Sequence, residues 1–202
     1  MFLYLVRHGQ STYNAQQRIQ GQSDPALSEL GRHQGKAVAQ RLVELPITAI
    51  HASPLRRAAE TAQFVAAALN LVIRFDPRLK EVDAGHFQDR IRDDVMREYP
   101  DAIPRWQRGD LEFAFPGGES RRELIRRGHE ALRAIIDDGH DHAAVVAHGG
   151  LLLAAMKALL DIPSDVPPFD MKNASITRLS VDADGCVELL DFDNVAHLQD
   201  VM

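Results

Sequence analysis

Two short apolar runs, residues 2–6 and 143–147, each end in a histidine followed by a glycine, His8-Gly9 after Arg7 and His148-Gly149 directly. An unbroken apolar run of about five residues, bounded by turn residues, suits a strand buried on both sides. A sheet holding such strands must be covered on both faces, and the rest of the chain supplies the covers. Ser28 is placed to cap a helix running to about residue 42, with Leu30, Ala37, Val38 and Leu42 at helical spacing. A strand at 48–52 is broken by Ser53-Pro54, a helix with an alanine-rich face follows over 55–69, and a strand over 71–75. A long helix is predicted from Ser120 to about 136, another over 151–160, and a hairpin over 174–181 and 186–192 around Asp184-Gly185. The alternation predicts an α/β, three-layer sandwich: a mostly parallel, mixed sheet with helices on both faces and an antiparallel terminal hairpin.

No repeat, low-complexity tract or linker interrupts the pattern, so residues 1–202 are expected to form a single domain. The least regular stretch, 78–118, holds Pro100, Pro104, Pro116 and paired glycines, with helical pieces around 93–99. Long polar segments of this kind are lids or substrate loops, and an insertion at about 82–118 is expected to play that part. Trp106, Phe113 and Phe115 would line it or form a satellite core. The formal charge of −6 argues against nucleic acid as the main partner. The single cysteine, Cys186, fits a reducing compartment. Residues 143–160 are interrupted by His148, Gly149, Gly150 and Lys157, so no membrane span is expected. With no signal peptide in view, the expectation is a soluble, cytoplasmic protein.

In α/β sheets, ligands bind beyond the carboxyl ends of the strands, where His8 and His148 both stand. Arg7 is beside His8, and Arg56 opens the helix after Ser53-Pro54. A guanidinium pairs with phosphate oxygens and keeps its charge near neutrality, and a helix N-terminus adds free N–H groups. The combination predicts two histidines and two arginines around a phosphoryl group, with no metal required. Arg57 is read as a solvated neighbour. A loop resembling a phosphate loop at residues 31–37 lacks the Ser/Thr and follows no strand, so it is assigned to a helix surface. His140-Asp141-His142 lacks further ligands at metal spacing.

The stretch Leu5-Val6-Arg7-His8-Gly9-Gln10-Ser11, with Asn14, resembles the signature of the histidine phosphatase superfamily, which has the phosphoglycerate-mutase-like fold. Supporting motifs follow in that family's order: Ser53-Pro54-Leu55-Arg56-Arg57-Ala58 with Thr61, Leu79-Lys80-Glu81, Gly117-Gly118-Glu119-Ser120, Ala147-His148-Gly149-Gly150, and the tail Asn173-Ala174-Ser175. The resemblance implies that His8 is the nucleophile and forms a phosphohistidine, with its second ring nitrogen held as a donor to a backbone carbonyl. Arg7, Arg56, His148 and Gly149 would surround the phosphoryl oxygens, Asn14 would donate to them, and Gln20-Gly21 would close the pocket. Glu81 would be the acid and then the base, serving a metal-independent phosphatase of small phosphomonoesters that needs no cofactor. After Glu81 the chain departs from the family's usual aromatic-rich run: Val82-Asp83-Ala84-Gly85-His86-Phe87-Gln88-Asp89 leaves substrate preference open, with His86 a possible contact. Two alternatives stand beside hydrolysis, a cofactor-dependent phosphoglycerate mutase and a non-catalytic phosphate-binding module. Arg90, Arg92, Arg97, Arg105 and Arg108 either recognise a second acidic group or are solvated helix faces. The partner expected is a small phosphorylated metabolite, and a homodimer stays open.

Overall fold

Phe2–Arg7 (β1) is the strand on which the rest of the sheet is assembled. In the computed structural model, which describes residues 1–167, 170–199 and 201, Leu3 and Leu5 face one side of β1 while Tyr4 and Val6 face the other, all buried. Side chains alternate across a strand, so a strand apolar at every position needs a cover on each face. The covers come from Glu29–Val43 (α2) and Arg56–Leu69 (α3) on the Tyr4 side, after the four-residue helix Thr12–Ala15 (α1). Between α2 and α3 runs Ala49–Ala52 (β2), and Ile73–Phe75 (β3) follows α3. Two short helices, Arg92–Glu98 (α4) and Ala102–Gln107 (α5), precede Arg121–Asp137 (α6). His142–Ala147 (β4) leads into Gly149–Leu159 (α7), and α6 with α7 covers the Leu3 side. The hairpin Ile176–Val181 (β5) and Val187–Asn194 (β6) closes the order. Each large aliphatic side chain buried in these faces contributes about 1.5–3 kcal/mol relative to exposure.

The six strands lie in the order β3-β2-β4-β1-β5-β6. The pairs β3–β2, β2–β4 and β4–β1 are parallel; β1–β5 and β5–β6 are antiparallel. The fold is therefore the expected mixed α/β sandwich. Adjacent parallel strands β1 and β4 send their next packed helices to opposite faces, α2 to one and α7 to the other. That reversal opens a crevice at the strands' carboxyl ends, and His8 and His148 stand at it.

Beyond shifts of one or two residues at strand ends, sequence and structure differ at three places in the helices. The helix after β4 begins at Gly149 rather than at 151, because His148 in extended conformation (φ −125°, ψ 153°) acts as its N-cap. Helix α5 forms although it contains Pro104, which lies in the first turn, where the missing N–H has no intrahelical partner to lose. The phosphate-loop-like residues lie within α2, as expected, but Gly31 and Gly35 face inward and only Arg32, His33 and Lys36 are exposed. Among the described residues no helix is long and apolar enough to cross a membrane. In the segment 82–118, Phe87, Phe113 and Phe115 are buried, with ring centroids 5.0–5.7 Å apart along the chain of contacts, and Trp106 packs 4.9 Å from Phe115. This aromatic cluster joins the core on the α6–α7 face.

Candidate active site

His8 continues β1 by one residue: its N–H donates to the Ala147 carbonyl (3.0 Å). Its own carbonyl accepts from the Ala174 N–H and the Asn173 side-chain amide, both at 3.1 Å. The ring is thus carried on a backbone fixed from both sides. Nδ1 lies 2.6 Å from the Gly9 carbonyl. A carbonyl can only accept, so Nδ1 carries the proton and Nε2 keeps its lone pair. Arg57 Nε donates to that Nε2 at 3.2 Å. Burial, reinforced by the charges of Arg57 and Arg7, holds the His8 ring neutral to well below its ordinary titration range. Gly9 is required here because a Cβ would lie 2.5 Å from the Gly31 carbonyl oxygen at the start of α2.

His148, fully buried, approaches His8 with ring centroids 5.2 Å apart. Its Nε2 is 2.7 Å from the hydroxyl of Ser53, which is tied to β4 through its N–H to the Val146 carbonyl (3.0 Å). The Ser53 hydroxyl can donate to Nε2, which leaves the proton of the neutral ring on Nδ1. Burial, with Arg57 and His8 nearby, depresses the titration of this ring too. His148 Nδ1 and Arg7 Nε are buried without a hydrogen-bond partner among the described residues. Two buried donors left without acceptors suit an oxyanion. Arg7 Nη1 meanwhile donates to Asp170 (3.1 Å) and to the Met171 carbonyl.

The second arginine is Arg57, which corrects the expectation for Arg56. Arg56 is exposed and its Nε pairs with Glu60 (2.7 Å) one turn along the surface of α3. Arg57 is 1% exposed and donates to His8, to the Ser23 carbonyl and to the Gly21 carbonyl, the last two at 2.8 Å. Burial pushes its guanidinium down to about 10, so it stays charged at neutral pH. The signal was present in helical spacing: Arg57, Thr61 and Val65 fall on the buried stripe with Ala58 and Ala62, while Arg56 falls beside Glu60. The N-terminus of α3 is also not the anion cradle expected of it. Asp24 accepts from the Arg56 N–H at 2.5 Å, and Ser53 accepts from that of Leu55.

Glu81 reaches the same crevice. Its carboxylate accepts from Val82 (2.9 Å), Gly150 (3.0 Å) and Leu151 (2.9 Å) backbone N–H groups, so it rests on the first turn of α7. The early start of that helix is what places those donors. Asn14 and Gln20 share the Ser11 hydroxyl, and the Asn14 oxygen accepts from the Ser11 N–H (3.0 Å) within a capping box. With its oxygen so engaged, Asn14 has its NH2 left as a donor, and the residue lines the pocket. Gly21 has φ +51°, and a Cβ there would meet Gln88 and Ala84. Arg7, His8, Asn14, Gln20, Gly21, Arg57, Glu81 and Gly149 all line one cavity of about 880 Å3, with Trp106 and Phe115 in its wall. Arg56 does not line it, and His86 is an exposed residue outside it. Of the clustered arginines, Arg92 lines it, whereas Arg90, Arg97 and Arg105 form surface pairs with Glu98, Asp94 and Asp110. His140 faces Asp138 (3.3 Å) and His142 bonds Tyr4 (3.0 Å), so those two histidines serve separate partners.

Residues 3–193 match the family described as the histidine phosphatase superfamily (branch 1). A curated relative, the probable phosphoglycerate mutase GpmB of Cronobacter sakazakii, is 36% identical over 179 residues, 88% of this chain and 83% of that protein. A mycobacterial glucosyl-3-phosphoglycerate phosphatase, solved in complex with VO3, superposes with a TM-score of 0.89 at 34% identity, over 96% of this chain and 99% of the other. Bacillus stearothermophilus YhfR gives 0.90 at 32% identity, over 98% and 99%.

Proposed function

The chain belongs to the histidine phosphatase superfamily and is an enzyme of the phosphatase kind, and from that premise we propose that it hydrolyses small phosphomonoesters through a phosphohistidine formed on His8, without a metal. The observation that carries this reading is the ring of His8, proton fixed on Nδ1 by Gly9 and Nε2 kept as an acceptor beside Arg57, at the wall of a cavity that Arg7 and Arg57 also line.

In the first step Nε2 attacks phosphorus and the ester P–O bond breaks in line. Arg57, Arg7 and His148 Nδ1–H balance the charge on the three non-bridging oxygens, as preorganised donors do in phosphoryl transfer. The leaving alkoxide takes a proton from Glu81. Water then attacks the phosphohistidine, Glu81 accepts its proton, and the P–N bond breaks to give inorganic phosphate and neutral His8. One carboxyl group serving both half-reactions contributes about 10² to 10⁴ in rate. The segment 82–118, through Trp106 and Phe115, forms the wall that selects the alcohol part of the ester.

A mutase reading draws on the name of the GpmB relatives, which share 36% of their aligned residues with this chain. The two readings differ in the acceptor of the phosphoryl group, water or a second hydroxyl. The test is phosphate release from a panel of phosphomonoesters in excess EDTA, with His8→Ala and Glu81→Gln alongside. We expect release that survives the chelator, falls at least about a thousandfold in His8→Ala, and in Glu81→Gln slows alkyl esters more than p-nitrophenyl phosphate. Release that needs a metal, or that persists in His8→Ala, overturns the reading. Phosphoryl transfer between phosphoglycerates without net release would favour the mutase.

A further inference from the structure

Glu81 lies in a stretch, residues 80–84, that belongs to no helix or strand, so no ladder of backbone hydrogen bonds sets its place. Leu79 and Val82 are buried on either side of it, but apolar burial has no direction. The orientation comes from Arg127, on α6. Its Nη1 donates to the carbonyls of Arg78 (2.6 Å) and Lys80 (2.7 Å), and its Nη2 to that of Glu81 (3.2 Å), which also accepts from Gln22 Nε2 (3.2 Å). Nε and Nη2 meet the two carboxylate oxygens of Glu119 at 2.9 and 2.8 Å, a fork-on-fork pair with both side chains less than a fifth exposed. The guanidinium thus makes five bonds, three of them to the chain that carries Glu81.

Glu119 extends the grip past Glu81. Its N–H donates to the Asp83 carbonyl (2.8 Å), and its carboxylate accepts from the Asp83 N–H (3.3 Å). Glu81 is therefore held at both ends: its carboxylate by the Gly150 and Leu151 amides of α7, its backbone by α6. The two helices approach closely at this level. A Cβ on Gly128, next to Arg127, would lie 2.9 Å from the Ala155 Cβ and 3.0 Å from Leu151 Cδ1. Arg127 does not line the His8 cavity; it borders a separate one of about 330 Å3, with Asp83 and Glu119. Its effect on the chemistry has to pass through Glu81. A general acid must stand within hydrogen-bond reach of the leaving oxygen, and a displacement of about 1 Å can cost about 10²-fold.

We propose that Arg127 is a positioning residue for Glu81, its pairing with Glu119 keeping the 78–83 backbone where the Glu81 carboxylate meets both the α7 amides and the leaving oxygen. This inference rests on the acid–base role of Glu81 in the phosphatase reading above.

The experiment measures kcat and KM on two esters, p-nitrophenyl phosphate, whose leaving group needs little protonation, and glycerol 3-phosphate, whose alkoxide needs a proton. The proteins are the wild type, Glu81→Gln, Arg127→Gln, Arg127→Lys and the double Gln variant. We expect Arg127→Gln to lower kcat on glycerol 3-phosphate at least about tenfold, with kcat on p-nitrophenyl phosphate and both KM values moved less than about threefold. Arg127→Lys should recover part of the loss, and it carries the same comparison if Arg127→Gln does not fold. In the double variant the glycerol 3-phosphate rate should stay close to that of Glu81→Gln alone, since no acid remains to be placed. A merely structural role would lower both esters together, or multiply the two losses, and either result overturns the proposal. If glycerol 3-phosphate is not hydrolysed, or Glu81→Gln does not separate the esters, the reading of Glu81 is what has failed. Amide hydrogen exchange then decides the inference alone. First-turn amides have no intrahelical partner, so the protection of Gly150 and Leu151 comes from the Glu81 carboxylate. Both should exchange at least about tenfold faster in Arg127→Gln while Val145 and Val146 of β4 are unchanged. Unchanged exchange at Gly150 and Leu151, or a rise that includes β4, sinks it.

Discussion

His8 can act on phosphorus only if one ring nitrogen is a lone pair and the ring stays put, and both conditions are met by neighbours one bond deep. The Gly9 carbonyl takes the Nδ1 proton, and Arg57 addresses Nε2. In the proposed mechanism Arg57 therefore has two tasks, holding the ring and meeting the oxygens, and three of its donors are already engaged. A lysine has one point charge and cannot span those partners. We expect Arg57→Lys to lower kcat/KM by at least about a hundredfold, and to destabilise the fold by about 1–3 kcal/mol by leaving buried carbonyls unpaired. Arg56→Ala, on the solvent face, should change stability by less than about 0.5 kcal/mol and leave turnover within twofold. Steady-state kinetics and thermal melts of the two variants check the contrast, and equal effects would refute the assignment. That His8, His148, Arg7, Asn14 and Glu81 would lie near one another was legible in the sequence, because each belongs to a short motif at a strand end or turn. The choice between Arg56 and Arg57 lay only in the helical spacing, because adjacent residues on a helix differ in direction alone, and the motif by itself does not say which stripe is buried.

At the scale of elements, the site is built where strands stop and helices start. β1 and β4 deliver the histidines, and α7 delivers amides to Glu81. Helix α2 contributes no side chain to phosphate binding in the proposed mechanism, yet it sets the position of the loop after His8. A Cβ on Gly31 would lie 1.9 Å from the Gln10 carbonyl oxygen, which is backbone and cannot turn aside. Gly31→Ala must therefore push the 9–10 loop away from α2. We expect a loss of about 1–3 kcal/mol, a Tm lower by about 2–10 °C, and a fall in kcat/KM, because His8 adjoins the displaced loop. An unchanged Tm together with unchanged kinetics would show that the contact does not constrain the site. Element boundaries were readable where a serine cap preceded an apolar stripe, as at Ser28 and Ser120. The start of α7 was not, because its cap is the histidine itself and makes no side-chain cap bond.

For the molecule as a whole, the buried histidines link stability to pH. Burial depresses His8, His148, His51 and His197 in the folded chain, whereas in the unfolded chain they titrate near 6.5. Below that pH the unfolded state binds more protons than the native one, so stability falls as pH falls. We expect Tm to drop between pH 7.5 and 5, before most carboxylates begin to protonate, while the acid limb of kcat/KM lies below 6.5 because His8 remains neutral. A Tm that is flat across this interval would contradict the burial of these rings. The alternation of strands and helices was readable from apolar periodicity along the chain. The strand order was not, since it depends on pairings between residues more than a hundred apart: Leu5 with Val145 on one side and Thr177 on the other. Those pairings also set a timetable for synthesis. A ribosome adding roughly 5–20 residues per second needs on the order of ten seconds to pass from β1 to β4. Throughout that interval the future centre of the sheet has neither of its flanking strands, and an apolar segment so placed is open to capture by a chaperone or by another nascent chain.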